Sequence, residues 1–144
     1  MSSIEDWEHQ YADVLQRGDP DPRAARNKLD LGERNVVRAR RDLDAGDPDS
    51  ALMHAENAMV NAADAALARD GYRLRGKTGS HQARFEYPRL PAEFGKFKAE
   101  LLMARRMRSQ AMYDVFGLVS DEQANAVTDA AEKLLGAVRK TFTT

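Results

Sequence analysis

The stretch SALMHAENAMVNAADAALARDGYRLRGKTGSH, residues 50–81, decides the fold. Its first part is rich in alanine, and the three- and four-residue spacing of these alanines predicts a helix with one flat face. The alanines that set this spacing are at positions 51, 55, 58, 62, 65 and 66. A face without bulk lets other helices approach closely, so we expect this helix at the centre of a bundle. Gly71 follows the last periodic residue and can adopt the left-handed conformation that ends a helix.

Further helices are predicted on both sides of this segment. The apolar spacing and the capping residues place helices at about residues 4–16, 23–45, 49–69, 92–116 and 120–141. Asp21-Pro22 opens the second in the order that helices prefer, and Ser120 to Gln123 forms a capping box before the last. No stretch alternates like a strand. The predicted fold class is therefore all-α: an up-and-down bundle of about five helices with no β-sheet.

Composition limits the functional classes. The 144 residues suffice for one domain, expected over 1–144, with a basic glycine- and proline-containing loop at 72–91. The chain has no cysteine, which excludes disulfides, thiolate metal sites and cysteine nucleophiles. The first ten residues do not resemble a signal peptide, and no run is apolar enough to span a membrane. We therefore expect a cytoplasmic protein without a membrane association.

The net charge of −1 conceals an uneven distribution. Between Arg73 and Arg108 there are ten Lys or Arg residues and three Glu residues, a local charge of +7, and the remainder carries −8. A basic segment within an acidic protein favours a partner that carries phosphate or an acidic surface. A basic face that is merely solvated is the alternative reading of the same charge pattern.

Two motif matches lead to no site. Gly71 to Thr78 fits the phosphate-loop pattern of nucleoside triphosphatases, but no strand precedes it, so we interpret the match as accidental. Bundles that bind two metal ions carry paired Glu-x-x-His motifs, whereas this chain has one similar feature, Asp6-x-x-His9. We therefore expect neither a metal site nor a cofactor.

Arg108 is an anomaly on the predicted helix at 92–116. At 100° per residue it falls within the apolar stripe formed by residues 94, 97, 101, 104 and 111. A guanidinium on such a face needs a carboxylate, a phosphate or a water-filled cleft. Either Arg108 extends its charged end to solvent or pairs with a glutamate across the bundle, or it lines an anion-binding cleft with Arg105 beside it.

Three segments together resemble a small HEPN-domain protein. They are ARRDLDAGDPDSAL (39–52), HAENAMVNAADAALARDGYR (54–73) and RRMRSQAMYD (105–114), and the resemblance covers most of residues 24–141. It implies a bundle of four or five helices that usually dimerises. Many members of this family are metal-independent ribonucleases of toxin–antitoxin or phage-defence systems, and some are paired with small nucleotidyltransferases.

The active motif of the family is an arginine followed, after four to six residues, by a histidine. By position, Arg108 to Tyr113 matches, with tyrosine in place of histidine; by letters, Arg75 to His81 matches, in the loop after the third helix. Histidine can accept a proton from a ribose 2′-hydroxyl at neutral pH, whereas tyrosine is a poor base. Catalysis would then require His81 to fold over the Arg108 cleft, within one chain or across a dimer.

The leading hypothesis is therefore a homodimeric HEPN-like protein of a toxin–antitoxin or phage-defence system that binds RNA or a nucleotide at a basic cleft. The tyrosine in its motif leaves open whether it is also a metal-independent endoribonuclease. The expected catalytic residues are Arg108, His81 and Tyr113, with Arg73, Arg75, Lys77 and Arg105 in contact with the nucleic acid. The first alternative is a non-catalytic adaptor that binds a protein partner, such as a nucleotidyltransferase or antitoxin protein, with Tyr113 as a modification target by analogy. The second is a plain helical scaffold.

Overall fold

A computed structural model describes residues 3–113 and 117–142, with side chains except at residues 110–113. Within this part of the chain there are seven helices and two short strands. In chain order they are α1 (Ser3–Gln10), β1 (Leu15–Arg17), α2 (Pro22–Asp44), α3 (Pro48–Arg69), β2 (Tyr72–Leu74), α4 (Ser80–Phe85), α5 (Glu93–Lys96), α6 (Lys98–Tyr113) and α7 (Asp121–Lys140). Across the described ranges, no helix combines the length and apolarity needed to cross a membrane.

Helix α3 forms the centre of the bundle, as its alanines predict. All six alanines of the spaced set are fully buried, and α2, α6 and α7 pack around the helix. The absence of bulk on α3 allows these helices to approach it closely. The helical bundle is therefore confirmed.

Side-chain caps explain where the long helices begin, and the sequence predicts those of α2 and α7. The Asp21 side chain accepts a hydrogen bond from the Ala24 amide at 3.0 Å, and Asp47 does the same for Ser50 at 3.2 Å. Ser120 and Gln123 form the expected reciprocal capping box at the start of α7. At the other end of α3, Gly71 has a φ of +94°, the left-handed conformation expected there. The helices expected at 23–45 and 49–69 are confirmed within a residue or two.

The prediction of an all-α fold with five helices and no β-sheet is wrong. Helix α1 ends at Gln10 rather than at residue 16, and β1 pairs antiparallel with β2, with Gln16 opposite Arg73. Val14, 1% exposed, lies in the core beside this ribbon, and its carbonyl accepts the Arg75 amide at 2.8 Å. Tertiary pairing supplies backbone hydrogen bonds that a short isolated helix could not match, and it overrides the helical spacing.

The region between α3 and α7 also differs from expectation. The segment 72–91, expected as a loop, contains strand β2 and the short helix α4. The helix expected at 92–116 is divided into α5 and α6 at Phe97, whose ψ of 22° departs from helical geometry. Gly95, just before the break, lowers the helix propensity there. Helix α6 is described to Tyr113, and the predicted end at residue 116 lies outside the described residues.

A second, aromatic core joins the N-terminal segment to α4. Trp7 packs against Tyr72 and Tyr87, with ring centroids 5.2 and 4.8 Å away. The Trp7 indole nitrogen also donates a 2.9 Å hydrogen bond to the carbonyl of Ala83 in α4. Because buried indole N–H groups need an acceptor, this bond holds α4 against α1.

Candidate functional site

A basic cleft opens between the helices α3, α4 and α6, and the turn before α4 also lines it. Its volume is about 510 Å³. Four cationic side chains and one carboxylate line it: Lys77, Arg84, Arg105, Arg108 and Glu56. Cations in a cleft with low-dielectric walls concentrate positive potential there, and such a cleft attracts anions.

Arg108 reaches the cleft from α6 and is held by α3. Its Nη1 atom donates to the carboxylate of Glu56 and, at 2.6 Å, to the amide oxygen of Asn57. The side chain of Glu56 is 4% exposed, whereas that of Arg108 is 27% exposed. Both bonds use Nη1, so Nη2 and Nε have no protein acceptor among the described residues. The buried carboxylate therefore fixes the orientation of a guanidinium that still has donors for an anion.

His81 enters the same cleft from the first turn of α4. Gly79, with a φ of +95°, turns the chain into this helix. The Ser80 hydroxyl donates to the carbonyl of Arg75 and closes the preceding turn. One turn further along α4, Arg84 forms a 2.7 Å ion pair with Asp64 of α3. These contacts, with the bond from Trp7, hold the six-residue helix in place although it is too short to be stable by itself.

The electrostatic environment keeps His81 neutral. Partial burial, together with the positive charges of Arg105, Arg84 and Arg108, lowers the pKa of His81 from 6.5 to about 4. Both effects disfavour the imidazolium ion. At neutral pH the imidazole therefore has an unprotonated nitrogen that can accept a proton.

Arg105 and Lys77 are the exposed cations of the cleft. Neither side chain forms an ion pair with any residue that the structure describes. Arg84 differs, because Asp64 already compensates its charge. A ligand anion would thus meet two cations that no carboxylate neutralises, next to the oriented guanidinium of Arg108.

The structure brings together four of the seven predicted site residues: His81, Lys77, Arg105 and Arg108. Arg73 and Arg75 are not among the residues of the cleft. Arg73 lies on β2 and pairs with Asp21 at 3.3 Å, while Arg75 is exposed in the turn before α4. The pairing of β1 with β2 holds Arg73 in the ribbon, away from α6. The side chain of Tyr113 lies outside the described residues.

The ion pair expected for Arg108 is observed, whereas the binding of an anion in the cleft beside it stays a prediction. Arg108 pairs with a glutamate across the bundle, and it lines an open cleft that contains His81. The sequence analysis did not identify Glu56, Asn57 or Arg84 as parts of this cleft. Glu56 could have been recognised, because a carboxylate next to the alanine face of α3 requires a cation. Arg84 could be placed only once α4 was known to be helical, since it lies three residues after His81 and so on the same face.

The arrangement suits the recognition of a phosphate beside an acid–base group. Guanidinium groups bind phosphate oxygens through paired N–H donors, and a lysine ammonium adds charge without strict geometry. The neutral imidazole of His81 lies within the field of the same cations that would hold the phosphate. In the described ranges, no group of three His, Asp or Glu side chains is placed to hold a metal ion.

Comparison with protein-family models identifies the family of the chain. Residues 25–141 match the family model of the HEPN domain, which is most of the chain. A search of curated proteins finds no match. The matched range begins in α2 and ends just after α7, so it includes every residue that lines the basic cleft.

Proposed function

The chain belongs to the HEPN domain family, and on that premise we propose that its basic cleft binds RNA or a nucleotide through a phosphate group. The supporting observation is that His81 shares one cleft with Lys77, Arg105 and Arg108. Without a ligand these like charges repel one another. Burial lowers the pKa of His81, and the charges of Arg105, Arg84 and Arg108 lower it further. A phosphate in the cleft would relieve that repulsion.

We propose further that the bound RNA is cleaved without a metal ion. His81 accepts the proton of a ribose 2′-hydroxyl, and the 2′-oxygen attacks the adjacent phosphorus. The bond from phosphorus to the 5′-oxygen of the next nucleotide breaks, and that oxygen takes a proton from water. Arg108 and Arg105 stabilise the charge that develops on the phosphoryl oxygens.

The low pKa of His81 makes it a weak base in the free protein, so its proposed role depends on the bound substrate. A base with a pKa near 4 is unprotonated at neutral pH but binds a proton weakly, and efficient bases have a pKa nearer the working pH. A phosphate anion between the guanidinium groups would offset their charges and raise the pKa of His81. Substrate binding would thereby strengthen the base.

Arg108 is a poor residue with which to begin the test, because its removal leaves the buried Glu56 unpaired. We therefore choose the exposed residues Arg105 and Lys77 for alanine substitution. The matched control is Arg34→Ala, since Arg34 is an exposed arginine on α2 that also lacks an ion-pair partner among the described residues. Binding of a fluorescent single-stranded RNA is measured by anisotropy over a series of salt concentrations.

We expect Arg105→Ala and Lys77→Ala each to weaken binding and to lower the slope of log K against log salt by about 1. Arg34→Ala should leave both quantities unchanged. Equal losses in all three variants would show that binding depends on overall charge, which contradicts a defined cleft. If the wild-type protein shows no salt-dependent retention of RNA, the adaptor alternative is favoured.

The cleavage step has a separate test. His81→Asn keeps a polar group of similar size but cannot act as a base. We expect this variant to bind RNA with little change and to lose cleavage, measured with a labelled oligonucleotide in the presence of a chelator. Cleavage at the wild-type rate by His81→Asn would contradict the assignment of this residue.

We also propose that the protein forms a homodimer, as the resemblance to the family implies. Sedimentation equilibrium of the purified chain measures this directly. A monomer at all concentrations tested would contradict this proposal, while the binding test on the cleft would remain valid because the cleft is formed within one chain.

A further inference from the structure

A second, mostly apolar groove lies directly beside the basic cleft. It has a volume of about 820 Å³ and runs between α4, α5 and the first turns of α6. Its apolar walls include Phe85, Leu90, Pro91, Phe94 and Leu101. The proposed phosphate chemistry leaves this groove without a role.

The groove and the cleft meet at two residues. His81 and Arg105 line both cavities, and no other described residue does. From this junction an aromatic series leads into the groove, because the His81 ring lies 4.9 Å from that of Phe85, which lies 6.3 Å from that of Phe94. An anion held by Arg105 would therefore have the apolar groove next to it.

We propose that this groove is a nucleobase subsite, which accepts an unpaired base of the RNA strand or nucleotide whose phosphate occupies the basic cleft. The inference rests on the proposed function and names its substrate class: a single strand. Nucleobases have flat apolar faces that stack on aromatic rings and on arginine guanidinium planes, and both are present at the junction. A base within a duplex is already stacked and paired, so it could not enter.

The surface around the groove favours a nucleotide over a protein partner. Protein interfaces need several exposed anchors that are buried together. Among the described residues, Leu102, 62% exposed, is the one large exposed hydrophobic side chain that lines the groove. Three exposed charged residues also line it: Lys98, Glu86 and Arg105. Two cations at the entrance match a ligand that brings a phosphate with its apolar part.

Gly95 offers a direct way to fill the groove. It lies in the wall, a Cβ added there would have no heavy atom within 4 Å, and its φ is outside the positive range. Gly95→Leu should therefore fold and place its side chain in the space that a base would take. Gly136→Leu is the matched control, because Gly136 on α7 is equally open and lies outside both cavities.

The experiment compares three ligands of equal length by anisotropy: single-stranded RNA, its duplex, and an abasic sugar–phosphate strand. We expect the wild type to bind the single strand about tenfold more tightly than the abasic strand, the size of one base-stacking contact. Gly95→Leu should remove this difference and leave the affinity for the abasic strand unchanged. Gly136→Leu should retain the difference, and Leu102→Ala should reduce it.

Three outcomes would overturn the inference, and they are distinguishable. If the wild type binds both strands equally and Arg105→Ala weakens both, the phosphate cleft stands and the base subsite does not. If neither strand binds, the proposed function fails together with the inference. If Gly95→Leu changes the oligomeric state in sedimentation while the difference between the strands persists, a second copy of the chain occupies the groove.

Discussion

Removal of Arg108 should reveal how strongly this protein depends on a single buried ion pair. The perturbation is Arg108→Ala, which leaves the carboxylate of Glu56 without its cation in a position that is 4% exposed. Breaking a buried pair from one side destabilises a protein by roughly 3–5 kcal/mol. Because the Arg108 side chain is 27% exposed and water can enter the vacated space, we expect a value below this range, about 2–3 kcal/mol.

A double variant separates the effect of the uncompensated Glu56 charge from the effect of lost packing. Arg108→Ala combined with Glu56→Gln removes the uncompensated charge while it keeps the shape of the α3 side chain. We expect the double variant to recover most of the lost free energy of unfolding, to within about 1 kcal/mol of the wild type. Urea denaturation of the wild type, the two single variants and the double variant provides the four values of a thermodynamic cycle.

Two results would contradict this explanation. The reasoning is refuted if Arg108→Ala is as stable as the wild type, or if Glu56→Gln does not rescue it at neutral pH. Either result would mean that the Glu56 carboxylate is solvated in solution.

The other predictions concern the elements that position the cleft. The pKa of His81 is about 4 in the folded chain and 6.5 in the unfolded chain. At pH values between these two, the unfolded chain therefore binds a proton that the folded chain does not. The stability of the wild type should therefore fall as the pH is lowered from 6.5 to 4, more steeply than that of His81→Gln, in thermal unfolding. Gly32→Ala should destabilise the protein by about 1–3 kcal/mol, because its Cβ would lie 2.4 Å from a methyl group of the buried Leu135. Gly136→Ala, whose Cβ would meet nothing within 4 Å, should stabilise the protein by about 0.5–1 kcal/mol. Trp7→Phe should keep the aromatic packing but lose the bond to a carbonyl of α4, which lowers stability by about 1 kcal/mol and speeds amide exchange in α4.

Much of the fold and part of the cleft could be predicted from local patterns. Patterns that act over a few residues suffice to locate three long helices: the alanine spacing of α3, the Asp21-Pro22 opening of α2 and the capping box of α7. The sequence also predicts that Arg108 needs a carboxylate or an open cleft, because burial of a guanidinium without either is unfavourable. The HEPN relationship was likewise visible in the helical segments, and the family match supports it.

Contacts between distant segments decided the rest. Residues 15–17 lie at the end of a segment whose apolar spacing a helix would accept, and they form a strand because residues 72–74 offer backbone partners. Helix α4 exists because Trp7 and Asp64, far from it in sequence, hold its backbone and its arginine. That helix brings His81 to Arg105 and Arg108, while the strand pairing holds Arg73 away. The sequence by itself determined which residues could bind a phosphate, since that depends on their chemistry; only the tertiary structure decided which of them share one cleft, because that depends on long-range packing.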